Sequence, residues 1–261
     1  MEWETVKLEG EGAIRHLVLD RPQVHNAVNR QLLADVLAAC AAIEALEDCR
    51  CVIMRGEGPS FCSGADLKEG VSHGGTVADG LRRARLGERA VDALGELTPV
   101  TIAAVHGHAI GGGACFAMAC DFRIGAESAK VSIREVSLGL SLSWHSIPNT
   151  VHLVGPSRAK EMIMFAETYG AERLLEYGFY NQVVPDGELG EAAQALAEKV
   201  LRQPPIPTAM TKLSVNAYVR ALDRAVFHLD APGVTLTGRT RDSGTAKEAF
   251  FSGGAVQWEN E

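Results

Sequence analysis

The sequence lacks several features that mark particular classes of protein. Its 6 cysteines include no Cys-x-x-Cys pair, which argues against a zinc or redox centre, and their scatter is typical of reduced, buried thiols in a cytoplasmic protein. We therefore expect no metal site. No apolar run reaches the roughly 18 residues of a membrane span, and residues 1–4 do not begin a basic-then-apolar signal peptide.

Positive charge is also scarce. The chain has 25 Lys and Arg residues against 33 Asp and Glu residues, so its net charge is −8 with His neutral. A net acidic protein is a poor match for a nucleic-acid-binding surface, and we expect no nucleic-acid partner. The one local concentration of basic residues is interpreted as the solvated face of a helix; its members are Arg82, Arg83, Arg85 and Arg89.

The order of the predicted elements indicates an α/β fold. Strands are predicted at residues 5–8, 14–19, 51–54, 99–105, 122–124, 130–133 and 183–184. Helices are predicted over the segment after Asn26 or Asn29, and at residues 82–97, 114–120, 157–165 and 171–177. The Gly- and charge-rich segment 68–80 is predicted to be a mobile loop.

These elements form repeated β-β-α units followed by a purely helical tail. With 261 residues and 46% hydrophobic content, the chain can bury one large core. We predict a core of residues 1–188 that carries the active site, and a C-terminal all-α region of residues 189–261. That tail is too short to fold alone, so we expect it to serve oligomerisation.

A run of three glycines is the most informative feature of the chain. Gly111–Gly113 lies between a buried strand and an apolar helix, and about 45 residues earlier stands Phe61-Cys62-Ser63-Gly64-Ala65-Asp66-Leu67. No Gly-Lys-Ser/Thr follows the glycines, which excludes a nucleotide P-loop. Each motif can present a backbone N–H at the start of a helix, and two such groups converging on one point make an oxyanion hole. The pair therefore predicts acyl chemistry.

Three side chains are candidates for acid/base or nucleophilic chemistry, each with a simpler alternative. Glu135 follows a short strand and becomes a general base if it is buried, but such a residue is more often on the surface. His145 follows Trp144 in a Ser/Leu-rich loop, where a histidine more often packs than reacts. Cys115 stands at a helix start, which favours a thiolate, but a cysteine there is more often a small buried filler.

Together the motifs resemble those of the enoyl-CoA hydratase/isomerase (crotonase) family, and they occur in the family's order across the whole chain. They are Arg21-Pro22, Asn26-Ala27-Val28, the Phe61–Leu67 motif, Gly107-His108-Ala109-Ile110-Gly111-Gly112-Gly113, Cys120-Asp121-Phe122-Arg123-Ile124, Glu135 with Leu138-Gly139, and a weakened C-terminal signature at Asp242 and Ala249-Phe250.

The resemblance implies a crotonase-type spiral of ββα units with a C-terminal helical region, assembled as a homotrimer or a dimer of trimers. It implies an acyl-CoA thioester substrate, with coenzyme A as part of the substrate and no separate cofactor. The oxyanion N–H groups would belong to Ala65 and Gly112. The residues that the resemblance places at the substrate are His25 (near a CoA phosphate), Ser63 (whose carbonyl would contact adenine), Lys68 (near the CoA entrance), Ala27, Asp66, Leu67, Gly111, Trp144 and Phe250.

Two departures from the family pattern bear on the reaction. Hydratases of the family use two glutamates, and the position of the first is Cys115 here, whereas the second is kept as Glu135. The usual Pro-Gly-x-Gly-Gly-Thr stretch is replaced by residues 141–146. Adding water needs two acid/base groups, and a thiol is a poor anchor for water, whereas moving a double bond needs one base that carries a proton between C2 and C4.

We therefore expect enoyl-CoA double-bond isomerisation, with Glu135 as the acid/base group. Three alternatives remain open at this stage. The first is an enoyl-CoA hydratase that recruits His145 or another group as its second catalytic group. The second is other acyl-CoA chemistry, such as decarboxylation or thioester or C–C hydrolysis, with groups from the 141–146 loop. The third is a non-catalytic acyl-CoA-binding scaffold, against which the retained Glu135 and glycines argue.

Overall fold

The computed structural model describes residues 1–66, 68 and 76–259. A sheet of six strands forms its centre, with β1 antiparallel to β2 and every other neighbouring pair parallel. In spatial order the strands are β1 (Val6–Glu9), β2 (Ile14–Leu19), β3 (Cys51–Gly56), β4 (Val100–Val105), β6 (Phe122–Ala126) and β9 (Gln182–Val184). All six residues of β4 are buried, as expected for a parallel strand covered on both faces.

A second, smaller sheet has the order β5 (His108–Ile110), β7 (Lys130–Ser132) and β8 (Tyr169–Gly170). Cys62 extends it through a parallel bridge to Ala109. Neither β5 nor β8 was predicted from the sequence, because β5 lies within the glycine motif of residues 107–113 and β8 is a two-residue connection between two predicted helices. This sheet matters for the site, since it brings the Phe61 motif beside the segment that leads into the glycine run.

Ten helices surround the sheets in the described part of the chain. They are α1 (Arg30–Glu44), α2 (Val77–Gly95), α3 (Gly112–Ala119), α4 (Ser146–Met164), α5 (Ala171–Glu176), α6 (Leu189–Leu201), α7 (Pro205–Val219), α8 (Arg224–Phe227), α9 (Asp230–Thr237) and α10 (Arg241–Ser252). No helix among the described residues is long and apolar enough to cross a membrane.

Capping side chains explain where the first two helices begin. Of the two predicted caps for α1, Asn29 is the one used, and its Oδ1 accepts the Leu32 N–H at 2.9 Å. Helix α2 begins at Val77, five residues before the predicted start, because Thr76 and Asp79 form a capping box. The predicted loop at 68–80 therefore ends in a helix, and its residues 69–75 lie outside the described residues.

Helix α4 is longer than predicted. It runs from Ser146, whereas the sequence predicted a helix over residues 157–165 only. Gly155 has a φ of +78° and is followed by Pro156, so the helix is kinked in its middle. The Gly-Pro pair thus joins two helical segments, and only the second of them was predicted from the sequence.

The two faces of the large sheet pack against different helices. One face joins α1, α2 and α3 in the main core, and α3 is buried along its whole length, as expected of a helix that is apolar all round. The other face packs against α6 through Leu189, Ala193 and Ala197. The predicted boundary at residue 189 coincides with the start of α6, but α6 covers the sheet, so the helical region contributes to the core.

Candidate active site

A cavity of about 250 Å³ lies beside the start of α3. It is bounded by the Phe61 motif, α2, the segment after β7, α9 and α10. Its described lining is mostly apolar and carries three charged side chains, Arg83, Arg134 and Glu135. The lining residues are Ser63, Gly64, Ala65, Gly80, Arg83, Ala84, Ile110, Gly111, Gly112, Cys115, Arg134, Glu135, Leu138, Leu140, Ser143, Trp144, Val234, Thr235 and Phe250.

Ala65 presents its backbone N–H away from the strand-like segment that it pairs with. The N–H of Val28 donates to the Gly64 carbonyl at 2.7 Å, and the Asp66 N–H donates to the Val28 carbonyl at 2.9 Å. In this parallel pattern the N–H and C=O of the middle residue point to the opposite side. The Ala65 amide is thereby directed away from Val28, and Ala65 lines the cavity.

Gly112 is the first residue of α3, where N–H groups have no partner within the helix. The Ile110 N–H donates to the Cys62 carbonyl at 3.0 Å, so the two glycine motifs run side by side. A Cβ on Gly64 would lie 2.5 Å from the Ile110 carbonyl oxygen and 3.7 Å from the Gly112 nitrogen. Only glycine permits this approach, and it brings the Ala65 and Gly112 amides to one cavity.

Glu135 is the carboxylate in this cavity. Its Oε2 has almost no accessible surface and no hydrogen-bond partner among the described residues, although the residue as a whole is only half-buried. Burial raises the pKa of Glu135 above its ordinary value, and backbone hydrogen bonds oppose the shift. A carboxylate of raised pKa in an apolar cavity is suited to accept and return a proton.

Cys115 lies in the same cavity, one turn into α3. Its side chain is buried, and burial together with the nearby Glu135 carboxylate raises the pKa of the thiol well above its usual value. The dipole at the start of α3 does not offset this, so the thiol is neutral at physiological pH. Cys115 therefore adds no second charged acid/base group.

Comparisons with known proteins identify the family of this chain. The model of the family described as "Enoyl-CoA hydratase/isomerase" matches residues 9–261. The chain belongs to the enoyl-CoA hydratase/isomerase family. It is 32% identical over 254 residues to a short-chain-enoyl-CoA hydratase of Clostridium acetobutylicum, with 96% of each chain covered. It is 33% identical over 213 residues to an enoyl-CoA isomerase/hydratase of Mycosarcoma maydis, which covers 78% of this chain and 77% of the relative.

A solved structure supports the fold. An enoyl-CoA hydratase/isomerase from Xanthobacter autotrophicus Py2 superimposes with a TM-score of 0.86 at 26% identity, covering 97% of this chain and 95% of the other. The predicted crotonase-type fold is thus confirmed, and with it the assignment to acyl-CoA enzymes of this hydratase/isomerase family.

The tentative role of His145 in acid/base chemistry does not fit its position in this hydratase/isomerase. Trp144 lines the cavity, but the His145 ring lies on the other side of the backbone, with Nε2 3.1 Å from Asp92 Oδ1 and Nδ1 3.4 Å from Asp230 Oδ2. The ring contributes instead to a separate cavity between α2 and α8. His145 does not line the active-site cavity, so its position does not support a role in proton transfer to the substrate.

The residues expected to bind CoA surround Ser63. The Ser63 N–H donates to the His25 carbonyl at 2.9 Å, and the exposed His25 ring has Nδ1 3.1 Å from Ser60 Oγ. Asp66 forms an ion pair with Arg21 at 3.1 Å, and Arg21 also donates to the Ala27 carbonyl. These contacts order the segment next to the cavity, so that Ala27 and Asp66 support the site without lining it.

The other three predicted substrate residues have different positions. Phe250 of α10 lines the cavity and is half exposed. Lys68 is exposed, and its N–H donates to Asp66 Oδ1 at 3.2 Å. Leu67 lies outside the described residues.

Two walls of the cavity were not predicted from the sequence. Gly80, Arg83 and Ala84 of α2 line it, as do Val234 and Thr235 of α9. Among the arginines of α2, Arg82, Arg85 and Arg89 are exposed as predicted, but Arg83 is half-buried and faces the cavity. The spacing of residues 80, 83, 84 and 87 along one helix face was the available signal. It was missed because the helix was predicted to begin at residue 82.

Proposed function

We propose that this enzyme moves the double bond of an enoyl-CoA thioester between C2–C3 and C3–C4, with Glu135 carrying the proton. One observation supports this most directly. Among the described residues that line the cavity, Glu135 is the single carboxylate, and it shares the cavity with the Ala65 and Gly112 amides. One base and one oxyanion site are sufficient for a proton shift and insufficient for the usual two-carboxylate hydration.

The thioester oxygen would sit between the two backbone N–H groups. When a proton leaves C2 of a 3-enoyl thioester, the electron pair of that C–H bond delocalises onto the thioester oxygen and gives a dienolate. The Ala65 and Gly112 amides stabilise this negative oxygen, and the dipole of α3 reinforces the Gly112 N–H. Each such donor typically contributes about 10²–10³-fold to the rate.

Glu135 would then return the proton to C4, which leaves the double bond between C2 and C3. The carboxylate is uncharged after the first step and charged again after the second, so no net proton is consumed. Its raised pKa suits this role, because a carboxylate whose ionised form is disfavoured by burial is a stronger base than an ordinary Glu.

Hydration is the second candidate, because the Clostridium acetobutylicum relative is named a hydratase and that of Mycosarcoma maydis is named an isomerase/hydratase. A hydratase must place a water molecule opposite Glu135 and activate it. Cys115, the residue at the position of the missing glutamate, is a neutral thiol and a weak hydrogen-bonding group. Because such a thiol is a poor group for activating water, its presence favours isomerisation over hydration.

Assays with two different substrates distinguish isomerisation from hydration. Purified enzyme is given 3-hexenoyl-CoA in one assay and crotonyl-CoA in the other, with formation or loss of the conjugated thioester followed by absorbance. We expect turnover of 3-hexenoyl-CoA that Glu135→Gln abolishes and Cys115→Ala retains. Fast hydration of crotonyl-CoA without conversion of 3-hexenoyl-CoA would overturn the proposal in favour of a hydratase.

A third result would contradict both candidate functions. If neither substrate reacts although acyl-CoA binds, the isomerase proposal is wrong. The protein would then catalyse a different acyl-CoA reaction with groups from the 141–146 loop, or it would bind acyl-CoA without catalysis.

A further inference from the structure

Trp144 occupies a slot that two glycines leave open. A Cβ on Gly87 of α2 would lie 1.9 Å from the indole, and a Cβ on Gly112 of α3 would lie 2.5 Å from it. Neither position has room for a side chain while the indole is in place. The ring also packs against Phe116, with the ring centroids 6.2 Å apart. The three residues Gly87, Gly112 and Trp144 therefore fit together as a set.

The indole lies where it limits the cavity. Trp144 lines the cavity although only 8% of the residue is exposed, and it contacts Gly112, whose N–H faces the proposed position of the thioester oxygen. An acyl chain that extends past the oxyanion site between α2 and α3 would meet this ring. Replacing the indole by a small side chain would lengthen the cavity in that direction.

The backbone that carries the indole is held in an unfavourable conformation. Trp144 has a φ of +57° and His145 has a φ of +58°, both in the left-handed region, which is uncommon for residues other than Gly and is rare for a bulky residue such as Trp. Two such residues in succession persist only where the surrounding structure holds them. Contacts with the surrounding structure must therefore fix this turn.

His145 provides that restraint from the side opposite the cavity. Its ring lies between Asp92 of α2 and Asp230 of α9, at 3.1 Å and 3.4 Å, and its backbone N–H donates to Asp230 Oδ2 at 2.8 Å. The Phe227 ring covers it, with the centroids 3.6 Å apart. Helices α2 and α9 are also walls of the cavity, so the same contacts join the turn to both walls.

The charge of His145 is consistent with this role. Burial lowers its pKa, but the two carboxylates outweigh burial and raise the pKa to about 9. The other charged groups around it are Glu88 of α2, Glu96 directly after α2, Arg220 before α8 and Arg224 at the start of α8. The ring is therefore an imidazolium held by two carboxylates at neutral pH.

We propose that Trp144 determines the length of the acyl chain that the cavity accepts, and that His145 is the positioning residue that holds Trp144 there. The proposal rests on the proposed function only in taking this cavity as the acyl site. It adds a specificity-determining residue and its support on the side opposite the cavity, neither of which takes part in proton transfer.

Equilibrium binding measurements, which require no turnover, test whether Trp144 limits the length of the acyl chain. Butyryl-, hexanoyl-, octanoyl- and decanoyl-CoA are titrated by calorimetry into wild type, Trp144→Ala and Trp144→Leu, the second variant serving if the first is poorly folded. Saturated chains undergo neither isomerisation nor hydration, so the result stands whatever the reaction. We expect the ratio of variant to wild-type affinity to rise with chain length, by about fourfold for each methylene newly buried.

The role of His145 is tested with a variant that keeps the backbone conformation. Asparagine tolerates left-handed φ, so His145→Asn removes the imidazolium with little backbone strain. We expect it to shift the chain-length profile in the same direction as Trp144→Ala, to a smaller extent. His152→Asn is the matched control, because His152 pairs with Asp223 at 2.8 Å and does not line the acyl cavity. It should leave the profile unchanged.

Two results would overturn the proposal. If folded Trp144 variants bind all four thioesters with an affinity ratio that does not depend on chain length, Trp144 does not limit the chain. If His145→Asn has the profile of wild type while Trp144→Ala does not, His145 is not the positioning residue. Failure of the enoyl-CoA turnover assays would leave both conclusions standing.

Discussion

Glu135 and Gly111 lie against each other at the start of α3: a Cβ on Gly111 would stand 3.0 Å from Glu135 Oε1. Gly111 also has a φ of +49°, which a residue with a side chain rarely adopts. The glycine thus permits both the turn into α3 and the position of the carboxylate. One short segment of backbone thereby sets the positions of the proposed general base and the proposed oxyanion donor.

Substitution of Gly111 by alanine should displace the base. The added methyl group would lie closer to the Glu135 carboxylate than ordinary van der Waals contact and would strain the turn, so the carboxylate must shift and we expect kcat to fall by at least about tenfold. The control is Gly190→Ala in α6, where a Cβ meets nothing within 4 Å. That variant should keep full activity. Unchanged kcat in folded Gly111→Ala would show that the carboxylate position is not critical.

Substitution of Glu135 by glutamine should abolish turnover and raise stability. The folded-state pKa of Glu135 is raised, so ionisation of this carboxyl costs folding free energy, and the cost appears as pH rises from the unfolded pKa through the folded one. The Tm advantage of the variant should therefore be absent at low pH and present at neutral pH, at roughly 2–4 °C for each kcal/mol. Calorimetry at several pH values measures this.

The same shift predicts the pH dependence of the wild-type rate. The base must be ionised, so kcat/KM should fall on the acid side at a higher pH than an ordinary Glu would give. An acid limb at the pH of an ordinary Glu would contradict the assignment of Glu135 as the base.

The oxyanion role of Gly112 requires a paired comparison. A Cβ at this position would lie 2.5 Å from the Trp144 ring, so any substitution disturbs the indole as well. Gly112→Ala adds the Cβ and keeps the N–H, whereas Gly112→Pro adds it and removes the N–H, and proline is tolerated at the first position of a helix. We expect the proline variant to be about 10²–10³-fold slower than the alanine variant. Equal rates would mean that this amide does not bind the oxyanion.

Substitution of Cys115 should show whether its thiol only fills space in the cavity or takes part in the reaction. Because the thiol is buried and neutral, Cys115→Ala should lower isomerisation by less than about tenfold. Cys115→Glu restores a second carboxylate in the cavity and should raise hydration of crotonyl-CoA above the wild-type level. The measurement is the ratio of the two activities in each variant, and a large loss in Cys115→Ala would assign the thiol a direct role.

The C-terminal helices should form a subunit interface. Beyond α6 they expose many large apolar side chains, among them Ile206, Met210, Tyr218, Leu222 and Leu236. We expect light scattering to give three or six times the chain mass of 27.8 kDa. Tyr218→Asp combined with Leu222→Asp should lower this mass, whereas Leu175→Asp, at an exposed position on α5, should not. A stable monomer in the wild type at micromolar concentration would reject the interface.

Local signals in the sequence determined much of this protein. The apolar run of β4, the helix period of α1 and the glycine motifs are each read within a few residues, so the order of elements and the family followed from them. The two oxyanion candidates also came from local patterns, and the structure brings both to one cavity. The short strand β5 was not predicted, because its three residues were assigned to the glycine motif of residues 107–113.

Tertiary structure alone decided what surrounds Glu135. Burial of its carboxylate depends on α2, α9 and the loop after β7, which are far apart in the chain, so no local pattern could show that its pKa is raised. The same holds for Trp144 and His145. They are neighbours in sequence but lie on opposite sides of the backbone. Trp144 packs against Gly87 and Gly112, whereas His145 lies between Asp92 and Asp230. The physical reason is that these contacts exist only after distant helices have packed together.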